Sequence, residues 1–444
     1  MDLKDLIVTP IYFSLILFVA FVLRPYFTTE TTRKYFIPAL SARLVAAILL
    51  GLLYQYYYNG GDTYNFHTRG SEIIADVFWE NPISGLKLLF SNGNNIKGLY
   101  YATSEIPFYR DSSSFMIIRI AAVFDLITFS TYSATALFFA LFSFSGLWVL
   151  YNVFIYYFPR QTNLLAYSVL FVPSVIFWGS GILKDTITLG ALGWLVFGIH
   201  QVFFLRNGVF RNSLIILISS WLIFQIKIYL LLAIIPAIMI WFFLRQISSI
   251  RNIVLRSLVA PVLLIIGILA AYYSAINVTR DDPRYSVDAL AKTARTTAYD
   301  IAFWTGRSAG STYDLGEMDG TFVGLLRLAP KGVLVSLFRP FPWEIRNALM
   351  AFLSIESFLI LLLTIYVLIR AGGIRFFRSL SNPVIFFCMV FSLVFAFAVG
   401  VSTYNFGSLA RYKIPLIPFY LSMLVMILDY SKSDRNIGDA QATE

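Results

Sequence analysis

Long apolar stretches alternate with short polar ones along most of the 444-residue chain. An apolar run of about 17–25 residues is long enough to cross a bilayer as a helix. By this criterion the sequence predicts an all-α polytopic membrane protein. Only Lys227 interrupts the run from 213 to 244, which we interpret as a tight hairpin with this lysine at its tip. Eleven spans are predicted, near 6–23, 38–58, 134–157, 163–180, 186–205, 213–226, 228–244, 253–275, 349–369, 383–401 and 414–430.

The composition supports a membrane protein. Hydrophobic residues make up 58% of the chain and charged residues 13%, against about 25% charged residues in soluble domains. The single cysteine, Cys388, lies in an apolar run, so the sequence offers neither a disulfide framework nor a cysteine metal site. The net charge of +10 comes from basic residues that cluster between apolar runs, a placement that argues against nucleic acid as a partner and makes membrane lipids the expected surroundings.

The basic clusters set the predicted orientation. Short loops rich in Lys and Arg stay on the cytoplasmic side of a membrane. All such loops fall on one face of the eleven-span topology, which places the N-terminus outside and the C-terminus in the cytoplasm. The residues that carry this pattern are Arg24, Arg33, Lys34, Arg160, Arg206, Arg211, Arg245, Arg251, Arg256, Arg370, Arg375, Arg378, Lys432 and Arg435.

The opposite face receives two long segments, 59–133 and 276–348, which we expect to be external loops with juxtamembrane helices. Residues 1–430 then form a single membrane domain, and the polar tail 431–444 is predicted to be cytoplasmic and disordered. The first loop ends in an amphipathic stretch, 115–129, with Arg119 and Asp125 among apolar residues. We expect this stretch to lie along the membrane interface.

Each predicted outer loop carries ionisable residues directly beside a span. Such groups are costly at a membrane boundary and are therefore functional candidates. Carboxylates with several cations suit chemistry on an anionic lipid, because cations hold a phosphate and an acid takes up a proton. The candidates are Asp62 and His67, then Lys184 and Asp185, then Lys227, and finally Arg411 and Lys413.

Each candidate also has a structural interpretation. Asp62 follows two glycines and could cap a turn or a helix, and Lys184 with Asp185 could form a local pair. Lys227 could snorkel towards the interface, as could the cations at 411 and 413, and a loop histidine such as His67 is more often structural than catalytic. The sequence contains no metal-ligand spacing, phosphate loop or nucleophile elbow, so we expect no metal and no cofactor.

The order of these motifs resembles the GT-C superfamily of multispan glycosyltransferases, in particular the protein O-mannosyltransferases and lipid A aminoarabinose transferase. The resemblance extends from about residue 56 to residue 420. It is carried by Gly60-Gly61-Asp62-Thr63-Tyr64, by Pro173–Trp178 leading to Lys184-Asp185, by Lys227 in a tight hairpin, and by Arg411-Tyr412-Lys413-Ile414-Pro415-Leu416-Ile417-Pro418.

The resemblance implies an inverting, metal-independent transfer of a sugar from a polyprenyl-phosphate-linked donor. The acceptor would be a lipid, a glycan or a protein at the outer face of the bacterial inner membrane. In this scheme Asp62 is the catalytic base and Asp185 orients the cations or a sugar hydroxyl. A single Asp replaces the family's Asp-Glu pair, which leaves open whether Asp62 acts alone or with Glu72 or Glu105. The implied substrate-binding residues are Lys227, Arg411, Lys413, Tyr64, His67 and Lys184.

Two other functions remain open on the sequence alone. The Pro-rich segment 338–344 also resembles membrane proteins of polysaccharide loci, including O-antigen polymerases. In a polymerase the external arginines would dominate, namely Arg280, Arg284, Arg295 and Arg307. A transporter or a non-catalytic membrane protein is the other alternative. Transporters tend to have inverted repeats and mid-membrane charges, whereas here the charges gather at one predicted surface and no repeat is visible.

Overall fold

The computed structural model describes residues 3–249, 311–316 and 321–442, with a few single positions between 292 and 303. The regular secondary structure of this part is helical, with one isolated bridge between Thr312 and Asn405, which confirms the all-α class. The predicted span 253–275 lies outside it, as do Arg280, Arg284 and Arg307, whereas Arg295 is an exposed helical position.

Within the described ranges, seven helices are long and apolar enough to cross a membrane. An eighth span is obtained if a pair bent by 67° counts as one, namely Phe406–Tyr412 with Ile417–Lys432. The predicted total of eleven is therefore not confirmed. The seven helices are Leu3–Phe27, Arg33–Tyr56, Tyr132–Tyr157, Lys184–Leu205, Val209–Ile247, Ala348–Ala371 and Pro383–Thr403.

Shorter helices fill most of the connections, including the first predicted external loop. In that loop the chain is helical from Asp62 to Glu80 with a π-helical turn at His67–Ser71. The remaining short helices are Pro82–Leu89, Tyr100–Glu105, Ser112–Thr128, Thr162–Leu170, Pro173–Trp178, Phe322–Arg327, Ala329–Phe338 and Gly373–Ser379, with a second π-helical turn at His200–Leu205 and 3-10 turns at Pro159–Gln161 and Pro342–Glu344.

Two predicted elements differ in the structure. The stretch 163–180 consists of two short helices, because Val172 is extended and Pro173 begins a new helix at its first turn. The tail 431–444 was predicted to be disordered, but the last helix runs from Ile417 to Ala442. By contrast, Lys227 interrupts helical geometry as predicted, since its φ of −146° and ψ of 76° fall inside the helix Val209–Ser249. The predicted hairpin of two separate spans stays a prediction, because the segment counts as one candidate span.

The chain divides into two compact units, which are described separately. The first comprises Met1–Val153 and Leu170–Lys227, and the second comprises Phe154–Val169 and Ile228–Glu444. In the first unit two long helices touch through glycines. A Cβ added to Gly146 would lie 2.0 Å from the carbonyl oxygen of Gly190, so only glycine permits this approach.

The amphipathic helix of the first loop is largely buried in the first unit. It begins at Ser112 and ends at Thr128, and most of its side chains between positions 114 and 125 are buried. It packs against the helical stretch from Asp62 to Glu80 and against the helix that begins at Lys184. Asp125 is therefore an internal carboxylate of this unit.

The second unit is built around aromatic side chains and one close helix crossing. Phe391 lies against Phe419 with a ring-centroid distance of 4.6 Å. A Cβ on Gly400 would come within 2.1 Å of the carbonyl oxygen of Gly332. The short segment 311–316 is fastened to this core, because the Tyr313 hydroxyl donates a hydrogen bond of 2.9 Å to the Gly400 carbonyl.

Candidate functional site

A turn with three successive left-handed residues ends the second helix and positions Asp62. Asn59, Gly60 and Gly61 have φ values of 51°, 116° and 115°, a region in which glycine has no steric penalty. The amide of Gly60 donates to the carbonyl of Tyr54 at 2.9 Å, and a Cβ on Gly61 would lie 3.1 Å from the Tyr54 ring. The sharp turn inferred from the glycine pair is thus present, and we call residues 59–61 the glycine turn.

Asp62 begins the helix that follows the glycine turn. It is half-buried and occupies the first helical turn, where a carboxylate interacts favourably with the helix dipole. Its charge also acts on Lys184. Asp62 can therefore stabilise the start of the helix and also interact with a substrate.

Lys184 is held by the start of the helix Ser112–Thr128. Its ammonium donates a hydrogen bond of 2.7 Å to the Ser113 hydroxyl and lies 3.4 Å from a carboxylate oxygen of Asp111. Asp111 in turn caps that helix by accepting from the amide of Ser114. Burial would raise the pKa of the Asp111 carboxyl, but the hydrogen bonds from Ser114 and the charge of Lys184 together hold its pKa below the ordinary value.

Asp185 and Lys227 form a buried ion pair. The Lys227 ammonium donates to a carboxylate oxygen of Asp185, and both side chains are inside the first unit. The pair links the start of the helix Lys184–Ile199 to the break at residue 227. Lys227 also acts electrostatically on Lys184. We call these five residues the acid–lysine cluster: Asp62, Asp111, Lys184, Asp185 and Lys227.

A polar cavity of about 730 Å³ lies beside the glycine turn in the same unit. Its wall includes two predicted substrate-binding residues, Tyr64 and His67, and also Glu72. The Tyr64 ring stacks on Tyr132 with a centroid distance of 4.5 Å, and its hydroxyl donates to the Gln55 side-chain oxygen at 3.2 Å. Glu105, the other acid that the sequence offers as a partner for Asp62, is instead exposed at the end of the helix Tyr100–Glu105.

His67 has a buried acidic neighbour that the sequence did not assign to the site. Its Nε2 atom lies 3.3 Å from a carboxylate oxygen of Asp125, and both side chains are buried. Asp125 also accepts a hydrogen bond from the Thr135 hydroxyl. The available signal was an acid at the centre of an otherwise apolar amphipathic stretch, which requires an internal partner when that stretch is buried.

Arg411 and Lys413 belong to the second unit. Lys413 is buried, and its ammonium donates a hydrogen bond of 2.8 Å to the Ser357 hydroxyl. Arg411 is half-exposed in the helix Phe406–Tyr412, with its guanidinium 5.8 Å from the ring of Tyr412. Their predicted role in phosphate binding stays a prediction.

The same unit contains a cation that was not predicted as a site residue. Arg339 is paired with Glu344, and its Nε lies 3.0 Å from each carboxylate oxygen. Its guanidinium also stands 5.3 Å from the Phe406 ring. Burial would raise the pKa of Glu344, but the hydrogen bonds from Arg339 and from the Phe341 amide lower it below the ordinary value. The pair stabilises the Pro-rich segment.

No group of three or more His, Cys, Asp or Glu side chains could hold a metal ion in the ranges that the structure covers. Comparison of the chain with known protein families, with curated proteins and with solved structures gives no match. The resemblance to GT-C glycosyltransferases accordingly rests on the sequence motifs alone.

Proposed function

We propose that this protein transfers a sugar from a polyprenyl-phosphate-linked donor to an acceptor at the outer face of the bacterial inner membrane. The observation that carries the proposal is the acid–lysine cluster. Four predicted site residues from three separate segments, Asp62, Lys184, Asp185 and Lys227, interact with one another in the first unit. Paired acids and cations suit proton transfer next to a phosphate.

In the proposed reaction the acceptor hydroxyl oxygen attacks the anomeric carbon of the donor. A carbon–oxygen bond forms there, and the bond to the phosphate oxygen breaks, so that the electron pair leaves with the lipid phosphate. Asp62 takes the hydroxyl proton. A transfer of this kind inverts the anomeric configuration, because the new bond forms opposite the one that breaks.

Lys184 is the cation of the cluster best suited to the leaving phosphate. Its side chain is 22% exposed, whereas that of Lys227 is 6% exposed and is neutralised by the buried Asp185. Asp185 therefore orients Lys227, and Lys184 presents its charge to the substrate. Arg411 and Lys413 are proposed as further phosphate ligands.

Glu72 is the better candidate for an acid that assists Asp62. It lies in the cavity wall, whereas Glu105 does not. Burial, together with the charges of Asp76 and Asp125, raises the pKa of Glu72 above its ordinary value, although His67 and Lys4 act in the opposite direction. A carboxyl with a raised pKa exchanges protons more readily near neutral pH.

The test is Asp62→Asn in the native host. In a strain that lacks the gene, complemented with the variant, we expect at least about a 100-fold loss of transfer, because a positioned general base contributes about 10²–10⁴-fold. The polyprenyl-linked donor should accumulate and be seen by mass spectrometry of extracted lipids. Yield and melting temperature should match the wild type.

Glu80→Gln is the matched control, since Glu80 is an exposed acid of the same helical stretch and lies outside the cavity wall. A fully active Asp62→Asn protein would refute the proposal. The length of the product on its lipid carrier separates the polymerase alternative, because a polymerase extends a chain of repeat units whereas a transferase adds one sugar.

A further inference from the structure

The polar cavity has the size and the wall of a site for a small polar ligand. Its volume of about 730 Å³ lies within the range of about 300–1,000 Å³ that is typical of such sites. Amide and hydroxyl side chains contribute much of the wall, including Gln55, Asn65 and Thr68. Amides and hydroxyls together donate and accept, which matches the hydroxyl groups of a sugar. A prenyl chain would instead leave these groups without hydrogen bonds.

The charges in the wall are balanced. Two cations, Lys4 and Arg69, stand with two acids, Asp5 and Glu72. Asp5 is already engaged, because its carboxylate accepts a hydrogen bond of 2.9 Å from the amide of Ser133. Equal numbers of positive and negative side chains in the wall favour a neutral or zwitterionic ligand over a polyanion.

A buried threonine in the wall has an unpartnered hydroxyl within the described part of the chain. Thr131 is 1% exposed and lines the cavity, and its hydroxyl has no hydrogen-bond partner among the residues that the structure describes. Buried polar groups are almost always hydrogen-bonded, so such a group calls for a partner. His67 forms another part of this wall, and its Nε2 atom lies 3.3 Å from a carboxylate oxygen of Asp125.

We infer that this cavity binds the acceptor of the proposed transfer and that the acceptor is a neutral or zwitterionic saccharide. The inference rests on the proposed function and adds the chemical class of the acceptor. Gly61 belongs to the cavity wall and Asp62 follows it directly. A saccharide in the cavity would lie against the residue that precedes the proposed base in the chain. His67 is a positioning residue that hydrogen-bonds the saccharide.

Photo-crosslinking in native host cells tests the class of ligand. The probe is p-benzoylphenylalanine placed at Thr68, which is exposed in the wall. We expect an adduct whose mass and periodate staining reveal a saccharide. The same probe at Glu80, an exposed residue outside the wall, should give no such adduct. An adduct with phospholipid or peptide alone, or none at all, would overturn the inference.

A second variant guards against disturbance of the site by the probe. Asn65→Trp fills part of the cavity from its wall. With a donor-containing lipid extract of the host, we expect the KM for the acceptor to rise about tenfold or more, as when a set of hydrogen bonds is lost. The KM for the donor should stay unchanged, as should the melting temperature. An unchanged acceptor KM would contradict the inference.

His67→Phe, introduced together with Asp125→Asn so that no buried carboxylate loses its partner, keeps an aromatic ring and removes the hydrogen bonds of the imidazole. The reference for this variant is Asp125→Asn alone. We expect the acceptor KM to rise while kcat changes less than twofold, whereas a purely structural role would lower yield and kcat together. The two proposals fail separately. A fully active Asp62→Asn refutes the proposed transfer mechanism even if the saccharide adduct forms, and an inactive Asp62→Asn with only a phospholipid adduct refutes the saccharide site alone.

Discussion

Two buried lysines, one in each unit, meet the cost of burial in different ways. Lys227 lies at a helix break and donates to the buried carboxylate of Asp185. Lys413 follows a short helix and donates to a neutral hydroxyl, that of Ser357. In the described part of the second unit, Lys413 makes no ion pair, although the charge of Glu356 acts on it from farther away.

The difference distinguishes a cation whose charge is neutralised by an adjacent carboxylate from one whose charge is not. The charge of Lys227 is cancelled by its partner, so the pair fixes geometry and attracts anions weakly. Lys413 keeps an uncompensated charge, which costs stability and also preserves its attraction for a phosphate. Lys413 thus retains a charge without an adjacent counter-charge, although it is only 2% exposed, whereas the charge of Lys227 is neutralised and serves as an anchor.

The largest expected effect is the loss of the buried carboxylate. Asp185→Asn keeps the shape but leaves the Lys227 ammonium buried without its partner charge. Removing one member of a buried pair costs about 3–5 kcal/mol. We expect the melting temperature in detergent, followed by fluorescence-detected size exclusion, to fall steeply, or the folded protein to be lost.

The double variant Asp185→Asn, Lys227→Met decides whether the pair is the cause. Replacing both charges removes the unpaired ammonium, so most of the stability should return. If the two single losses simply add in the double variant, the carboxylate and the ammonium do not stabilise each other and the comparison with Lys413 loses its basis.

A smaller loss of stability is expected when Arg43 is replaced. Arg43 extends the comparison of the two lysines because it is a third buried cation, bound by neutral oxygens. Its guanidinium donates to the Ser143 hydroxyl at 3.0 Å and to the carbonyls of Gly179 and Val175 at 3.0 and 3.3 Å. Arg43→Met removes the donor of the Ser143 hydroxyl and of the Gly179 carbonyl. The Val175 carbonyl still accepts from the Gly179 amide. Leaving buried acceptors unsatisfied costs about 1–3 kcal/mol. The same melting experiment measures it.

The control is Arg33→Met. Arg33 is exposed at the first position of the helix that contains Arg43, so this variant should melt like the wild type. If Arg43→Met also melts like the wild type, the carbonyls at the end of the helix Pro173–Trp178 do not depend on the guanidinium.

The expected effect is smaller still at Lys413. Lys413→Met loses the hydrogen bond to Ser357 but also removes a buried charge that no adjacent carboxylate neutralises. The two changes oppose each other, so we expect stability within about 1 kcal/mol of the wild type. Lys227→Met should destabilise far more, because it strands Asp185. Equal losses for the two lysine variants would contradict the distinction drawn between them.

The fold class and the local breaks could be predicted because each depends on neighbouring residues. Apolar runs indicate spans, a glycine pair indicates a turn with positive φ, and a lone Lys227 in an apolar run indicates a break. The interruption at Pro173 also has a local signal, since proline starts helices and cannot continue them. The apolar run on both sides of it nevertheless predicts one span.

The pairings could not be predicted because they depend on packing. Asp185 and Lys227 lie 42 positions apart in the chain, and Lys184 and Asp111 lie 73 apart. Asp125 was recognised as unusual in an apolar stretch, but its partner is set by the burial of a helix expected at the interface. The polar cavity has no local signal, since its wall combines the chain's first residues with residues near positions 60 and 131.

The smallest expected effect is the pH dependence of stability that comes from the partly exposed pair of Asp111 and Lys184. Because the pKa of Asp111 is held below its ordinary value of 3.8 in the folded state, its stabilising contribution is present above about pH 5 and is lost as the pH falls through 3.8 and below. The side chain is 41% exposed, so solvent screening limits the contribution to less than about 1 kcal/mol. Asp111→Asn should therefore melt slightly below the wild type at pH 7, and the gap should close as the pH falls. A gap that stays constant with pH would mean that the Lys184 charge does not stabilise the Asp111 carboxylate, and that only the buried pair of the acid–lysine cluster contributes to folding.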